Sequence, residues 1–199
     1  MNLEEKDLIL HLQQRFALYE DMKAYKQLFD LLYNSLFKFS FSFVKLKEAA
    51  QEIVSDVFIK LWSIKTDLMA INNLKVYLYT ITKNFSLNYI TRHNKMQVVS
   101  LEYIEPITLF DYNNPETSLI SSEVINRINQ SIAELPNQCR IIFYLVKECG
   151  LKYKEVALIL NISVHTVRNQ VANAIRKIAD NLPAGVHYSL TNIPRFSES

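Results

Sequence analysis

Side chains that can read the edges of DNA bases cluster between residues 163 and 176. Arg168 can donate two hydrogen bonds to one guanine, and Asn169 or Asn173 can pair with adenine. Thr166 lies near the start of a predicted helix, where its hydroxyl is better placed for a phosphate. His165 and Arg176 fall on the same predicted side of that helix. The stretch therefore favours recognition of a DNA major groove.

A second helix must support these side chains, and residues 153–168 have the spacing of a helix-turn-helix. Asn161 stands at the turn, which requires a positive φ that asparagine tolerates well. The Ser163 hydroxyl is expected to cap the second helix. An ordinary helical hairpin with polar outer residues is the alternative. The residues predicted to pack inward are Val156, Ala157, Leu160, Ile162, Val164, Val167, Val171, Ala174, Ile175 and Ile178.

Glycine is scarce: the 199 residues include two glycines and five prolines. Phosphate-binding loops and Rossmann turns need several glycines, and β-sandwiches and barrels need glycine-rich turns, so these classes are nearly excluded. Apolar residues at helical spacing predict an all-α chain. The predicted helices are 7–18, 24–43, 49–62, 74–92, 122–135, 137–148, 152–160 and 163–181, with a loop at 67–73 and a left-handed Gly150.

The charges lie in blocks along the chain. Residues 83–95 contain three bases and no acid, residues 96–126 contain five acids and no base, and residues 140–182 carry a net charge of +4. Pro106 and Pro115 fall in the acidic block, which has no sustained hydrophobic period. We therefore predict two small helical domains joined by a flexible acidic linker, with two basic surfaces facing nucleic acid. Chance clustering on solvated faces is the alternative for the charges. The predicted boundaries are 1–95, 96–120 for the linker, 121–183 for the helix-turn-helix domain, and 184–199 for a tail.

Other classes of protein find little support in the sequence. Cys139 and Cys149 lack metal-ligand spacing and are expected to be small buried apolar residues. The four histidines are scattered, and no carboxylate pair or nucleophile–base spacing stands out. The N-terminus has no apolar run. We expect a cytoplasmic protein that is not an enzyme, has no cofactor or metal, and does not insert directly into a membrane.

Several segments resemble a known family. Residues 135–143, 150–157 and 163–168 closely resemble the C-terminal promoter-binding domain of extracytoplasmic-function (ECF) sigma factors, which belong to the sigma-70 family of bacterial transcription initiation factors. Residues 49–62 resemble the family's helix that binds core RNA polymerase, and residues 74–84 resemble the helix that recognises and melts the −10 element. The abundance of Ile, Asn and Lys resembles the Bacteroidetes branch. The resemblance implies an RNA polymerase sigma factor that binds core polymerase and promoter DNA and is held by an anti-sigma factor.

The resemblance also implies roles for individual residues. Val57, Phe58 and Leu61, although on the polymerase-binding helix, are more simply core residues, and for Tyr77 the core and DNA-binding interpretations both remain open. A basic residue is common in the family where Asn173 stands, which leaves the −35 contact set in doubt. The implied core polymerase contacts are Asp56, Lys60 and Trp62; the −10 contacts are Asn72, Tyr77, Tyr79, Lys83, Asn84, Asn88 and Arg92; and the −35 contacts are His165, Thr166, Arg168, Asn169, Asn173 and Arg176.

Two other functions compete with this one. A conventional helix-turn-helix regulator, with a sensing or dimerising N-terminal half, would account for residues 153–168 but leaves residues 49–84 unexplained. An enzyme would need a catalytic constellation that the spacing of residues does not offer.

Overall fold

The computed structural model describes residues 3–93 and 122–181, and all regular secondary structure in these ranges is helical. The chain divides into two compact units: residues 3–93 lie in the first, and residues 122–181, apart from 158–160, lie in the second. The helices are α1 (Leu3–Tyr19), α2 (Met22–Val44), α3 (Lys47–Ser63), a 3-10 helix (Lys65–Ala70), α4 (Leu74–His93), α5 (Ser122–Ala133), α6 (Asn137–Lys147), α7 (Tyr153–Leu160) and α8 (Val164–Asp180). The all-α prediction is confirmed for these residues. The predicted linker and tail lie outside them.

Helix α2 is the centre of the first unit, because it packs against α1, α3 and α4. Leu28, Leu32 and Leu36 recur every four residues along it and are fully buried, which forms the stripe that the three neighbours cover. A cluster of three aromatic rings also forms part of this core. Phe16 of α1 lies with its ring centroid 4.9 Å from that of Tyr25 and 5.4 Å from that of Trp62. The core thus fixes α3 and α4 on a common support.

Two turns of the first unit use left-handed residues other than glycine. Glu20 has φ 50° between α1 and α2, and Lys45 has φ 57° after α2. The sequence predicts a loop over residues 67–73, but the 3-10 helix covers the first part of that range. Its Leu68 is fully buried, so the segment is packed against the unit rather than lying over its surface.

Asp21 caps the N-terminus of α2. Its carboxylate accepts hydrogen bonds from the amides of Lys23 (2.8 Å) and Ala24 (3.3 Å) and forms an ion pair with Arg15. Desolvation raises the pKa of Asp21, but the two amides and the guanidinium together outweigh it and hold that pKa below its usual value.

Replacing Asp21 by alanine is expected to lower the thermal midpoint of the first unit at neutral pH. Because the folded-state pKa of Asp21 is lowered, its stabilisation is present above the unfolded-state pKa and is lost as the pH falls through the folded-state value. Calorimetry from neutral pH to about pH 3 should therefore show that the difference in thermal midpoint between the wild type and Asp21→Ala becomes smaller. Asp30→Ala is the matched control, since Asp30 is an exposed acid of the same helix paired only across one turn with Lys26. If Asp30→Ala lowered the thermal midpoint as much as Asp21→Ala, Asp21 would not be a stabilising cap of α2. The same conclusion would follow if the difference between the wild type and Asp21→Ala grew larger in acid.

The second unit is built on α6 and α8, with α5 packed against α8. Ile142 and Leu145 of α6 and Val167 of α8 are fully buried. Gly150 follows α6 with φ 62°, and the amide of Leu151 donates to the carbonyl of Leu145 at 3.0 Å. This is the left-handed glycine after the helix that the sequence predicts.

Both cysteines are buried free thiols, as predicted. The Cys139 Sγ–H donates to the carbonyl of Gln170 in α8 at 3.3 Å. Burial raises the pKa of the Cys139 thiol, against a smaller opposite effect of Lys177, so this group stays protonated and unreactive at neutral pH.

Candidate nucleic-acid interface

The turn between α7 and α8 has the geometry that the sequence predicts. Asn161 has φ 56°, and Ile162 donates its amide hydrogen to the carbonyl of Ala157 at 3.0 Å. The Ser163 hydroxyl accepts from the amide of Thr166 at 2.9 Å and lies 2.8 Å from the Thr166 hydroxyl. Thr166 is half-buried, and both its amide and its hydroxyl are engaged by the Ser163 cap. The other first-turn backbone amides of α8 lie at the same end of the helix.

Helix α8 presents two distinct sides. Val167, Val171, Ala174 and Ile178 are buried, and Val164 and Ile175 are half-buried. The opposite side exposes the other five residues predicted to face the −35 element: His165, Arg168, Asn169, Asn173 and Arg176. The sole acid of α8 is Asp180, in its last turn. The side chains predicted to read bases are therefore presented together on one side of the helix, with no acidic residue before its last turn.

Polar side chains on the exposed side of α8 are paired with one another. Asn169 Nδ2 lies 3.0 Å from His165 Nε2, and Arg176 donates to Asn173 Oδ1 at 3.0 Å. Such pairs restrict rotamers before any ligand arrives, which lowers the entropic cost of ordering them at an interface.

Replacing Asn161 by valine is expected to destabilise the second unit by about 1–2 kcal/mol, because a β-branched residue is strained at positive φ. Asn161→Gly, the matched control, should leave the stability close to that of the wild type, since glycine adopts this conformation freely. Chemical denaturation followed by circular dichroism would measure both. Equal stability of the valine and glycine variants would show that the turn does not keep the left-handed conformation.

Helix α4 exposes a second polar side. Asn84, Asn88 and Arg92 recur every four residues and are exposed, and Lys83 beside them is half-buried. Helix α4 contains no acidic residue. Asn72 is exposed in the turn before the helix, and Asn73 Oδ1 accepts from the amide of Val76 at 3.1 Å. The exposed turn thus lies at the N-terminal end of α4, and its exposed polar residues continue along the helix toward the C-terminal end.

The two tyrosines predicted to contact the −10 element differ in position. Tyr77 is half-buried, and desolvation raises the pKa of its phenol, which keeps the hydroxyl protonated. Tyr79 is completely buried, with its ring centroid 5.1 Å from that of Phe39. This burial corrects the expectation of a direct DNA contact from Tyr79, whose ring is a core element instead.

The residues predicted to bind core polymerase lie on the outer side of α3. Asp56 and Lys60 are exposed, and Trp62 is 38% exposed while its ring also packs on Phe16 and Tyr25. Ile59, which is not among the residues predicted to bind polymerase, is 64% exposed on the same side. The sequence does carry a signal for this exposure, because Ile59 is an apolar residue that falls outside the helical repeat of the buried residues of α3.

The structure brings two predicted sets together at one groove between α3 and α4. Its volume is about 430 Å³. Asp56, predicted to bind polymerase, faces it together with Asn88 and Arg92, predicted to bind DNA. The other lining residues are Glu52, Ile53, Phe85, Tyr89 and His93. Acidic groups thus come from α3 and basic groups from α4.

Within residues 3–93 and 122–181, no group of three or more His, Cys, Asp or Glu side chains is arranged to hold a metal ion. In the same ranges, no helix has the length and apolar character needed to cross a membrane.

Family models match both units. Residues 27–96 match "Sigma-70 region 2" and residues 125–178 match "Sigma-70, region 4", and together these cover more than half of the chain. The two-sided α8 and the polar side of α4 fall inside the two matches. The chain belongs to the sigma-70 family and is an RNA polymerase sigma factor.

Relatives narrow the group. The chain is 24% identical over 158 residues to the RNA polymerase sigma factor YlaC of Bacillus subtilis, covering 79% of this chain and 89% of the relative. It is 26% identical to the ECF RNA polymerase sigma factor SigW of Bacillus subtilis, with the same coverage of both chains. It is 27% identical to the ECF RNA polymerase sigma-E factor of Escherichia coli K12, over 65% of this chain and 71% of the relative. These relatives and the two domains place it among the ECF sigma factors.

Two solved structures share the fold. The sigma factor RpoE, in complex with the anti-sigma factor NepR from Bartonella quintana, matches with a TM-score of 0.57 and 22% identity, over 80% of this chain and 97% of that one. CnrH, in complex with the cytosolic domain of CnrY, matches with a TM-score of 0.52 and 16% identity, over 88% of this chain and 94% of that one.

Proposed function

We propose that this sigma factor directs promoter-specific initiation by binding core RNA polymerase through α3, reading the −10 element through α4 and the −35 element through α8, and helping to melt DNA. The observation that carries the proposal is the two-sided α8. Its predicted base-reading side chains are exposed on one side, while the opposite side packs into the unit. A helix so arranged can enter a major groove without exposing apolar surface.

For the −35 element, the proposed base contacts are Arg168, Asn169 and Asn173. Arg168 suits guanine and the two asparagines suit adenine. His165, Thr166 and Arg176 complete the contact set, with Thr166 at the capped end of α8 where phosphate is favoured.

For the −10 element, the proposed contacts are exposed or half-buried residues of α4 and of the turn that precedes it. Single-strand capture needs a pocket for a base together with aromatics and cations near the backbone. In this proposal, the turn before α4 supplies the pocket for a base. The basic side of α4 supplies the groups near the backbone. The set is Asn72, Tyr77, Lys83, Asn84, Asn88 and Arg92, without Tyr79.

For core polymerase, the proposed contacts are Asp56, Lys60 and Trp62, and we add Ile59. The exposed charges are suited to steering, and the exposed apolar surface of Ile59 and Trp62 is suited to burial in an interface.

The organisation of the chain and its regulation form part of the same proposal. We propose domain boundaries at 1–95, 96–120, 121–183 and 184–199, and cytoplasmic localisation. An anti-sigma factor that covers the polymerase-binding surface is the proposed regulatory partner, as supported by the neighbour bound to NepR. The richness in Ile, Asn and Lys supports the Bacteroidetes-type branch.

Reconstituted transcription tests the proposal. The protein is mixed with bacterial core polymerase and genomic DNA fragments, and the 5′ ends of the transcripts are sequenced. The expected result is a set of starts that share −35 and −10 sequences and are missing with core polymerase alone. If an active polymerase yields no starts above that background, the proposal is wrong.

A further inference from the structure

A buried glutamine of α1 holds the turn that precedes α4. Gln13 is 2% exposed, and its Nε2 donates to the carbonyl of Leu68 at 2.6 Å and to the carbonyl of Ile71 at 2.8 Å. Because a carbonyl oxygen can only accept, the amide must present its nitrogen here, and both of its N–H groups are used. These bonds cross 55 and 58 residues of sequence. They join α1 to the segment where the chain leaves the 3-10 helix.

The position of Gln13 would ordinarily hold an apolar residue. Ile9, Leu12 and Phe16 of α1 are buried around it and form the helix's core stripe. A buried amide is costly unless its hydrogen bonds are made, so an amide is retained here where an irregular backbone needs donors. The carbonyl of Ile71 lies just past the end of the 3-10 helix, where regular pairing stops.

A second contact from α1 holds the far side of the same turn. Lys75 is 4% exposed, and its ammonium donates to Glu5 at 2.6 Å. Residues 70–73, here called the reading turn, are therefore held at Ile71 by Gln13 and are followed closely by Lys75, and both anchoring contacts come from α1. Between the anchors, Asn72 is exposed.

We propose that Gln13 is a positioning residue for −10 recognition: by holding the carbonyls of Leu68 and Ile71, it sets the shape of the reading turn and so the selectivity for the base captured there. This inference rests on the proposed role of the reading turn in binding the −10 element. Gln13 itself is buried, and its proposed role is to position the turn and not to contact DNA.

Gln13→Glu tests the inference, because it keeps the size of the side chain and sets a carboxylate against two carbonyl oxygens. Transcription is measured from a promoter and from derivatives with single-base changes in the −10 element, at a constant −35 element. The ratio between them, here called −10 discrimination, is expected to fall about tenfold, within the range that one base contact is worth. Gln14→Glu is the matched control, since Gln14 is the exposed neighbour. It should leave the ratio unchanged.

Gln13→Leu covers the case in which the glutamate variant fails to fold. Leucine suits the surrounding apolar stripe and removes only the two hydrogen bonds, so the same fall in −10 discrimination is expected with core polymerase binding retained. Equal loss of transcription from all promoters, with the ratio intact, would reduce Gln13 to a structural residue and overturn the inference. So would an unchanged ratio in a folded variant. Absence of −10 discrimination in the wild-type protein would instead overturn the proposed role of the turn.

Discussion

Transcription from promoters of this sigma factor is expected to fall by about 5- to 150-fold when Arg168 is replaced by alanine, while binding to core polymerase is unchanged. The range corresponds to the roughly 1–3 kcal/mol of discrimination in a bidentate contact between arginine and guanine. Arg168 is exposed on α8, away from the buried side formed by Val167 and Val171. Alanine is the best helix former, so α8 itself should persist. The loss should therefore come from recognition and not from folding.

Two further variants separate base reading from charge. Arg168→Lys keeps the charge but loses the planar fork, so it should retain salt-dependent DNA binding and still lose discrimination at one base pair. Lys177→Ala is the matched control, because Lys177 is exposed nine residues further along α8 and points about 180° away. Lys177→Ala should have little effect on transcription or on discrimination at the −35 element.

The loss of discrimination is measured by run-off transcription on fragments that differ in single base pairs of the −35 element. The effect of Arg168→Ala should be largest on the intact element and disappear when its partner base pair is changed. Loss of core polymerase binding in the variant, or the same loss on every fragment, would show that α8 is not the helix that reads the −35 element.

Local patterns in the sequence were sufficient for the parts of the fold that depend on nearest neighbours. The buried stripe of α8, the left-handed Asn161 and Gly150, and the Ser163 cap follow from residue types at fixed offsets, and the structure confirms each. Helix ends were predicted within four residues because caps are local. The left-handed Glu20 and Lys45 were missed, since neither residue type signals that conformation.

Contacts between distant segments could not be predicted in this way. Lys75 looks like a surface residue in sequence, but its partner Glu5 lies 70 residues away and allows it to be buried. The two carbonyls held by Gln13 are as remote. Tyr79 fits the family's pattern for the −10 helix, yet the packing of Phe39 against it places it in the core. Burial is decided by which helix faces which, and that is a property of the whole unit.

Helix α3 offers the clearest separation between stability and binding. Leu61 is completely buried and Ile59 is 64% exposed, although both are aliphatic residues of the same helix. Leu61→Ala is expected to destabilise the first unit by about 2–5 kcal/mol, because it removes buried methyl groups and leaves a cavity. Ile59→Ala should change stability by less than about 0.5 kcal/mol.

Binding to core polymerase should follow the opposite order. Ile59 shares the exposed side of α3 with Asp56 and Lys60, so its truncation should weaken binding by a folded protein. Leu61→Ala should weaken binding only through its unfolded fraction, and cooling toward the temperature of maximum stability or a stabilising osmolyte should restore it. Urea denaturation of the free protein, combined with a titration of core polymerase, measures both quantities. If Ile59→Ala destabilised the unit as much as Leu61→Ala, the orientation of α3 would be wrong. If a folded Ile59→Ala variant bound polymerase as the wild type does, Ile59 would lie outside the interface.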